Sequence, residues 1–186
     1  MLIGFFVIIG ILVIIGLWLI ISRNNFVKVK NQVEEAFSTM DVYLKKRYDL
    51  IPNLVETVKG YATHESETFT KVTAARTAAM SATSIDEKIA NENALSGTLK
   101  SLFAVAEAYP QLQANTNFLD LQQQLQSLEG EIANSRKYYN AIVRTMNTMV
   151  ESFPSNLIAG IFGFKKQPFF EVGAAAEREN VQVKFN

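Results

Sequence analysis

The fold is decided by the stretch FLDLQQQLQSLEGEIANSRKYYNAIVRTMNTMVESF, which runs from Phe118 to Phe153. Along it, positions separated alternately by three and four residues are apolar or aromatic at ten of eleven places, with Ser135 as the exception. This 3.5-residue period predicts one long amphipathic helix, about 60 Å long if it begins at Asn115. Pro154 is expected to end it. The positions are Phe118, Leu121, Leu125, Leu128, Ile132, Ser135, Tyr139, Ile142, Met146, Met149 and Phe153.

A second long amphipathic stretch extends from Phe26 to about Thr63. Pro52 lies inside it, and we expect the proline to kink the helix or to break it near Leu50, because it removes a backbone hydrogen bond. Residues 22–25 contain neither proline nor glycine, so the segment before Phe26 is expected to continue into this helix without interruption.

Two shorter helices are expected between the long ones. The first covers Glu65 to Ala82, and the second starts at Ser84-Ile-Asp-Glu87, which has the form of a capping box, and ends at Pro110. Four amphipathic helices with short connections are typical of an antiparallel bundle. We therefore predict an all-α protein in which residues 23–155 form an elongated antiparallel four-helix bundle.

The charges of the chain are distributed unevenly. The 186 residues include 18 basic and 18 acidic side chains, which cancel, and none of them lies in residues 1–22. Residues 2–21 comprise seventeen apolar residues and three glycines. A helix of this length crosses a hydrocarbon core of about 30 Å. A cleaved signal peptide would need a cationic start and a small-x-small cleavage site, and neither is present. Residues 1–22 are therefore predicted to be a transmembrane anchor, with membrane-spanning candidates Leu2, Phe5, Phe6, Trp18 and Ile21.

The orientation of the anchor is predicted from the cations that follow it. Arg23, Lys28 and Lys30 come after the apolar run, whereas no basic side chain precedes it. The positive-inside rule then places the bundle in the cytoplasm and the short N-terminus outside.

Residues 156–186 are predicted to form a third part. Residues 156–170 are apolar and aromatic but too short to span a bilayer. They either pack on the base of the bundle or lie among lipid headgroups, with two lysines reaching anionic lipid. Residues 172–186 are expected to be a flexible tail, although Val181–Phe185 alternates like a strand that adds to a partner. The membrane-interface candidates are Arg23, Lys28, Lys30, Phe162, Phe164, Lys165, Lys166, Phe169 and Phe170.

The sequence offers little for catalysis. Without cysteine there is no disulfide, thiol nucleophile or Cys-ligated metal, and His64 is the only histidine. The neighbouring carboxylates Glu34–Glu35 and Asp86–Glu87 diverge on a helix, and the basic run Lys45–Arg47 fans over about 200° of helix, so we read it as a solvated face. No phosphate-binding motif is present. We predict no catalytic residue, cofactor or metal, and the balanced charge argues against a nucleic-acid partner.

Uncharged amide side chains are frequent on the long C-terminal helix. Such side chains suit packing between helices of different protomers better than catalysis, and they favour a homo-oligomer. They are Asn115, Asn117, Gln122, Gln123, Gln124, Gln126, Asn134, Asn140 and Asn147.

Three stretches resemble the signature of the LemA family. They are DVYLKKRYDLIPNLVETVKGYATHE at residues 41–65, EAYPQLQANTNFLDLQQQL at residues 107–125, and IANSRKYYN at residues 132–140, which is followed by FPSNL at residues 153–157. The resemblance covers nearly all of the domain. One departure is Met146, where the family more usually carries an aromatic residue.

The resemblance implies a bacterial single-pass protein of the cytoplasmic membrane, with a helical bundle and no established enzymatic activity or cofactor. We therefore expect a non-enzymatic scaffold whose partners are the lipid bilayer and further copies of itself. The family's genes often accompany those of membrane metalloproteases, so the alternative is an adaptor or regulator of membrane proteolysis beside such a protease.

Overall fold

The computed structural model describes residues 2–171, and Met1 and residues 172–186 lie outside the described part. The described residues form six helices and no strand, which confirms the all-α prediction. The helices are α1 (Leu2–Lys59), α2 (Ser66–Ser81), α3 (Ile85–Glu107), α4 (Pro110–Gln113), α5 (Thr116–Glu151) and α6 (Ser155–Phe162).

The chain divides into two compact units, and α1 and α5 contribute residues to both. The first unit contains the chain up to Val42 together with residues 131–169. The second unit contains residues 43–130 together with the chain from Phe170 onward, of which Phe170 and Glu171 are described.

The first unit is held together by apolar side chains at heptad-like spacing on α1 and α5. The Phe37 and Tyr139 rings meet edge to face, with their centroids 5.9 Å apart. Fully burying one large apolar side chain contributes about 1.5–3 kcal/mol to the free energy of folding. The buried side chains between α1 and α5 therefore dominate the stability of this unit. In this unit the predicted stripe is buried at Ile132, Tyr139 and Met146 and half-buried at the positions between them, and Phe153 is 80% exposed because α5 ends at Glu151. The buried set is Phe26, Val33, Ala36, Met40, Ile132, Tyr139, Val143, Met146, Ile158 and Ala159.

The second unit is a helical bundle built from parts of α1 and α5 and from α2, α3 and α4. The predicted capping box is confirmed, because the Glu87 N–H donates to Ser84 Oγ at 3.1 Å and the Glu87 carboxylate accepts from the Ser84 N–H at 3.3 Å. The buried apolar set is Leu44, Tyr48, Ile51, Leu54, Val55, Val58, Ala62, Phe69, Val72, Ala79, Leu95, Leu99, Leu102, Ala106, Leu112, Phe118, Leu125 and Phe170.

Pro52 was expected to kink the helix or to break it, and the break does not occur, since α1 continues through the proline to Lys59. Pro52 has no N–H, so the carbonyl of Tyr48, four residues earlier, loses its helical donor. The side chain of Arg76 on α2 supplies the replacement, with its Nε donating to the Tyr48 carbonyl at 2.7 Å. The helix therefore tolerates the proline because a neighbouring helix satisfies the freed carbonyl.

Two other boundaries differ from the sequence prediction. Pro110 does more than end α3, because it is the first residue of the short helix α4. The long helix α5 begins at Thr116 rather than Asn115, and the Asn115 Oδ1 accepts from the Phe118 N–H at 3.0 Å, as an N-cap side chain does. The predictions for residues 172–186 fall outside the described residues.

Candidate functional site

The first candidate surface is the N-terminal part of α1. Its large side chains are exposed; Phe5 is 60% and Ile21 59% exposed, for example, whereas Trp18 is partly buried. Leu2 begins the helix. Among the described residues, this is the one helix long and apolar enough to cross a membrane, and none of its most apolar window is buried inside the protein. An apolar face of this size is suited to hydrocarbon rather than water.

The chain after α6 lies against α1 directly beyond this apolar run. The Arg23 guanidinium sits over the Phe162 ring, 5.4 Å from its centroid, and the Phe26 and Phe164 rings stack with centroids 4.7 Å apart and planes 11° apart. Arg23 is the first charged residue of the chain. The C-terminal end of α6 is thus fixed within one turn of the place where the uncharged segment ends.

Helix α6 is apolar on two sides. Ile158 and Ala159 are buried in the first unit, while Leu157 and Ile161, one turn apart, are 52% and 69% exposed. Phe162 at its end is 47% exposed, and Phe153 just before the helix is 80% exposed. We call Phe153, Leu157, Ile161 and Phe162 the apolar patch.

The segment after α6 is held by side chains of α5. Gly163 ends α6 in a left-handed conformation (φ 73°), which glycine adopts without steric cost. The Asn147 side chain then forms two hydrogen bonds with the Gln167 backbone, donating to its carbonyl at 2.9 Å and accepting from its N–H at 2.8 Å. Tyr139 donates its hydroxyl proton to the Pro168 carbonyl at 3.0 Å. This segment therefore packs on the helices while the apolar patch remains exposed.

The membrane-interface candidates fall into three groups. The cations Arg23, Lys28, Lys30, Lys165 and Lys166 are exposed, although Lys30 lies 3.6 Å from Glu34 and Lys166 pairs with Glu151. Phe162 is exposed, and Phe164 and Phe169 are partly buried. Phe170 is only 3% exposed, so this candidate is withdrawn: a side chain packed in a protein core is not accessible to lipid.

A second candidate site is a cluster of buried polar side chains in the second unit. Arg47 is 2% and Glu92 is 3% exposed, and they form an ion pair. Arg47 also donates to Glu129 Oε1 at 2.7 Å and lies 3.4 Å from Ser96 Oγ, and the Tyr48 hydroxyl donates to Glu92. The Arg47 Nε is buried without a partner among the described residues.

Burial and charge act in opposite directions on this cluster. Burial acts to lower the pKa of Arg47, but the carboxylates of Glu92 and Glu129 outweigh it, so its pKa is raised and the guanidinium stays charged. Burial raises the pKa of Glu92, against the opposing effects of Arg47 and Tyr48. A paired, buried charge of this kind joins helices α1, α3 and α5 and is costly to break.

The prediction of a solvated face is wrong for Arg47, and its partner Glu92 was not predicted. Lys45 and Lys46 are exposed as predicted, but Arg47 is in the core. A signal was present, because Glu92 continues the α3 stripe of Leu95 and Leu99 by one further turn. A charged residue at a position where the period demands an apolar one predicts a buried partner of opposite charge.

Neither site carries a recognisable catalytic arrangement. No group of three or more His, Asp or Glu side chains within residues 2–171 is placed to hold a metal ion. His64 is exposed in the connection between α1 and α2. The prediction that the chain is not an enzyme stays a prediction.

At least three of the amides expected between protomers form hydrogen bonds within the chain, among them Gln124, whose Nε2 donates to Asp120 Oδ2 at 2.8 Å. Asn115 donates from its Nδ2 to the Tyr61 hydroxyl at 2.9 Å, and Asn147 binds the Gln167 backbone. Others on α5, such as Gln123 and Asn134, are exposed.

Comparison with known proteins gives matches over most of the chain. The family model described as "LemA family" matches residues 36–185. Protein LemA of Metamycoplasma hominis is 26% identical over 165 residues, which cover 87% of this chain and 73% of that protein. Magnetosome protein MamQ 1 of Paramagnetospirillum magneticum is 26% identical, and magnetosome protein MamQ of Magnetospirillum gryphiswaldense is 22% identical, each over 180 residues. Each of these two matches covers 83% of this chain and 66% of the relative, just under two thirds of its length.

Proposed function

Because the chain belongs to the LemA family, we propose that it is a non-enzymatic membrane protein that acts as a helical scaffold. Residues 2–21 anchor it in the bilayer, and the helices beyond the anchor associate with further copies or organise partners at the membrane surface. The apolar, unburied start of α1 supports the anchor.

The position of α6 carries this proposal. Arg23 and Phe26, immediately after the apolar run, contact Phe162 and Phe164 at the end of α6. These contacts hold α6 beside the end of the apolar run. In this position the exposed side chains of Leu157 and Ile161 lie at the depth of the lipid interface. The second lipid contact orients the domain relative to the bilayer, which a single spanning helix by itself does not do.

Simple energetics favour this contact. An apolar side chain that moves fully out of water contributes about 1.5–3 kcal/mol, and the patch has four exposed large side chains. Each cation near an anionic surface adds about 1 kcal/mol. Arg23 lies over Phe162, and Lys165 follows Phe162 by three residues, so anionic lipid strengthens the contact.

Depth-dependent quenching tests the lipid contact, and the absence of native cysteine allows single labels. The full-length chain carries an environment-sensitive fluorophore at Leu157→Cys or Ile161→Cys, in vesicles containing phosphatidylglycerol and a phospholipid with a doxyl quencher near the headgroup. The matched control is Glu131→Cys, an exposed position of the same unit about 30 Å along α5 from its end. We expect strong quenching at the two α6 positions and weak quenching at the control. Equally weak quenching at all three positions would reject the lipid contact.

The scaffold role and the membrane topology need separate measurements. Native mass spectrometry of the full chain in nanodiscs is expected to show oligomers, as the exposed amides Gln123 and Asn134 favour. A monomer that also captures no partner in crosslinked cells contradicts the scaffold.

Arg23, Lys28 and Lys30 favour a cytoplasmic bundle, so the Glu131→Cys thiol should react with an impermeant maleimide only after the cells are permeabilised.

The alternative role beside a membrane metalloprotease rests on the family resemblance and stays a prediction. Its test is the turnover of the protease's substrates in cells with and without this gene.

A further inference from the structure

A groove in the second unit runs between α3 and α5. It consists of two cavities of about 360 Å³ and 280 Å³ that share Phe103 and Gln122 in their walls. Along α3 the groove extends from Ser96 to Glu107, which corresponds to about 16 Å of helix.

The groove has an apolar floor and a polar rim. Leu99 and Leu125 in the floor are each 4% exposed, and the Phe103 and Phe118 rings lie 6.4 Å apart at its centre. Exposed glutamines of α5 and the partly exposed Glu129 form the rim. A groove of this kind suits a narrow peptide whose apolar side chains point inward and whose backbone meets amides at the edge.

The described chain ends at the mouth of this groove. The Asn93 side chain donates from its Nδ2 to the carbonyl of Glu171 at 3.2 Å, and the side chain of Phe170 is buried. Asn93 precedes Ser96 by three residues and lies on the same side of α3. The chain beyond Glu171 therefore starts within one helical turn of the groove.

The sequence beyond Glu171 contains a segment of matching pattern and length. Val181, Val183 and Phe185 alternate with polar residues, so in an extended conformation they share one side over about 13 Å. The nine residues before Val181 span up to about 30 Å, more than the 21 Å or so from Asn93 to the far end of the groove. The family model also extends to residue 185, so this segment belongs to the matched domain.

We propose that residues 181–185 of the same chain bind in this groove as an extended segment. Val181, Val183 and Phe185 occupy the apolar floor, and Gln182 and Lys184, which alternate with them, face away from it. The short connection from Glu171 makes the intrachain contact favourable, because it keeps the segment at a millimolar effective concentration beside the groove.

Disulfide trapping in the full-length chain in nanodiscs tests this placement. Val183→Cys is paired with Gln122→Cys in the groove wall, and the matched control pairs Val183→Cys with Gln124→Cys. Gln122 and Gln124 are both exposed, but they point about 200° apart around α5. Under mild oxidation we expect an intrachain disulfide yield at least about fivefold higher for the Gln122 pair.

Each other outcome overturns the proposal. Equal yields for the two pairs mean that the segment does not select the groove. A disulfide that links two chains means that the groove is occupied by the tail of a second copy. A further comparison separates apolar docking from chance encounter: Phe185→Asp should reduce the trapped fraction severalfold, whereas Gln182→Asp, which alters a solvent-facing residue, should not.

Discussion

The buried ion pair between Arg47 and Glu92 gives the sharpest test of how the second unit is stabilised. The perturbation is Arg47→Met, which keeps an unbranched side chain but removes the guanidinium and its charge. Glu92, 3% exposed, is then left in the core with the Tyr48 hydroxyl as a remaining donor. Removing one partner of a buried pair costs about 3–5 kcal/mol, because the other charge loses both water and its counter-ion. The lost contact with Glu129 adds little, since that side chain is 43% exposed and regains water.

The double variant Arg47→Met/Glu92→Met distinguishes a buried charge from a simple loss of packing. With both charges gone, the desolvation cost disappears, and the main remaining loss is the hydrogen bond from the Tyr48 hydroxyl to Glu92, about 1–3 kcal/mol. We therefore expect the double variant to be more stable than the single variant Arg47→Met, with a coupling energy of at least about 2 kcal/mol.

The measurement is urea unfolding of the full chain in a non-ionic detergent, followed by circular dichroism at 222 nm. Urea is preferred to guanidinium because an ionic denaturant screens the pair. A loss below about 1 kcal/mol for Arg47→Met, or a double variant as unstable as the sum of the single variants, would refute the assignment of a buried ion pair.

The remaining predictions concern helix termini and the proline. Arg76→Leu should lower the free energy of unfolding by about 1–3 kcal/mol, because it leaves a carbonyl without a donor, and adding Pro52→Ala should recover much of this loss by restoring the helical N–H. Ser84→Ala should cost about 1 kcal/mol through the lost N-cap. Hydrogen bonds from the backbone of Thr83 and Ser84 lower the pKa of Glu87 below its usual 4.5. The stability that this carboxylate contributes is therefore present above its unfolded pKa and is lost as the pH falls through the folded pKa, and Glu87→Gln should reduce the slope of the urea midpoint against pH in this range.

Matched controls are available on the same helices. Lys71→Leu on α2 changes an exposed cation and should leave stability nearly unchanged, whereas Arg76→Leu should not. Ser81→Ala removes a hydroxyl that bonds only within its own helix, at 3.2 Å from the Ala78 carbonyl, and should cost less than Ser84→Ala. Strictly additive effects of Arg76→Leu and Pro52→Ala would contradict the shared-carbonyl explanation.

Hydrophobic periodicity predicted the helices because burial repeats with the helical period. The heptad-like seam of α5 and the capping box at Ser84 are local patterns, and both were readable from the chain. The uninterrupted α1 was predicted across residues 22–25 for the same reason, since nothing there disfavours a helix.

The continuity of α1 at Pro52 and the burial of Arg47 were not predictable in this way, since both depend on contacts between residues far apart in sequence. Arg76 is 28 positions from Tyr48, and Glu92 is 45 positions from Arg47. Local rules treat a proline as a break and a basic run as a surface. A partner on another helix reverses both inferences, and periodicity alone does not identify that partner.

The hydrogen bond from Arg76 to the Tyr48 carbonyl also restricts the order in which Pro52 and Arg76 can be replaced during evolution. A lineage that first exchanges Pro52 for a residue with an N–H keeps that carbonyl satisfied and loses little. A lineage that first exchanges Arg76 must pass through a chain with an orphaned carbonyl. The two replacements are therefore accepted in a preferred order, and a descendant that keeps the proline is expected to keep a donor at position 76.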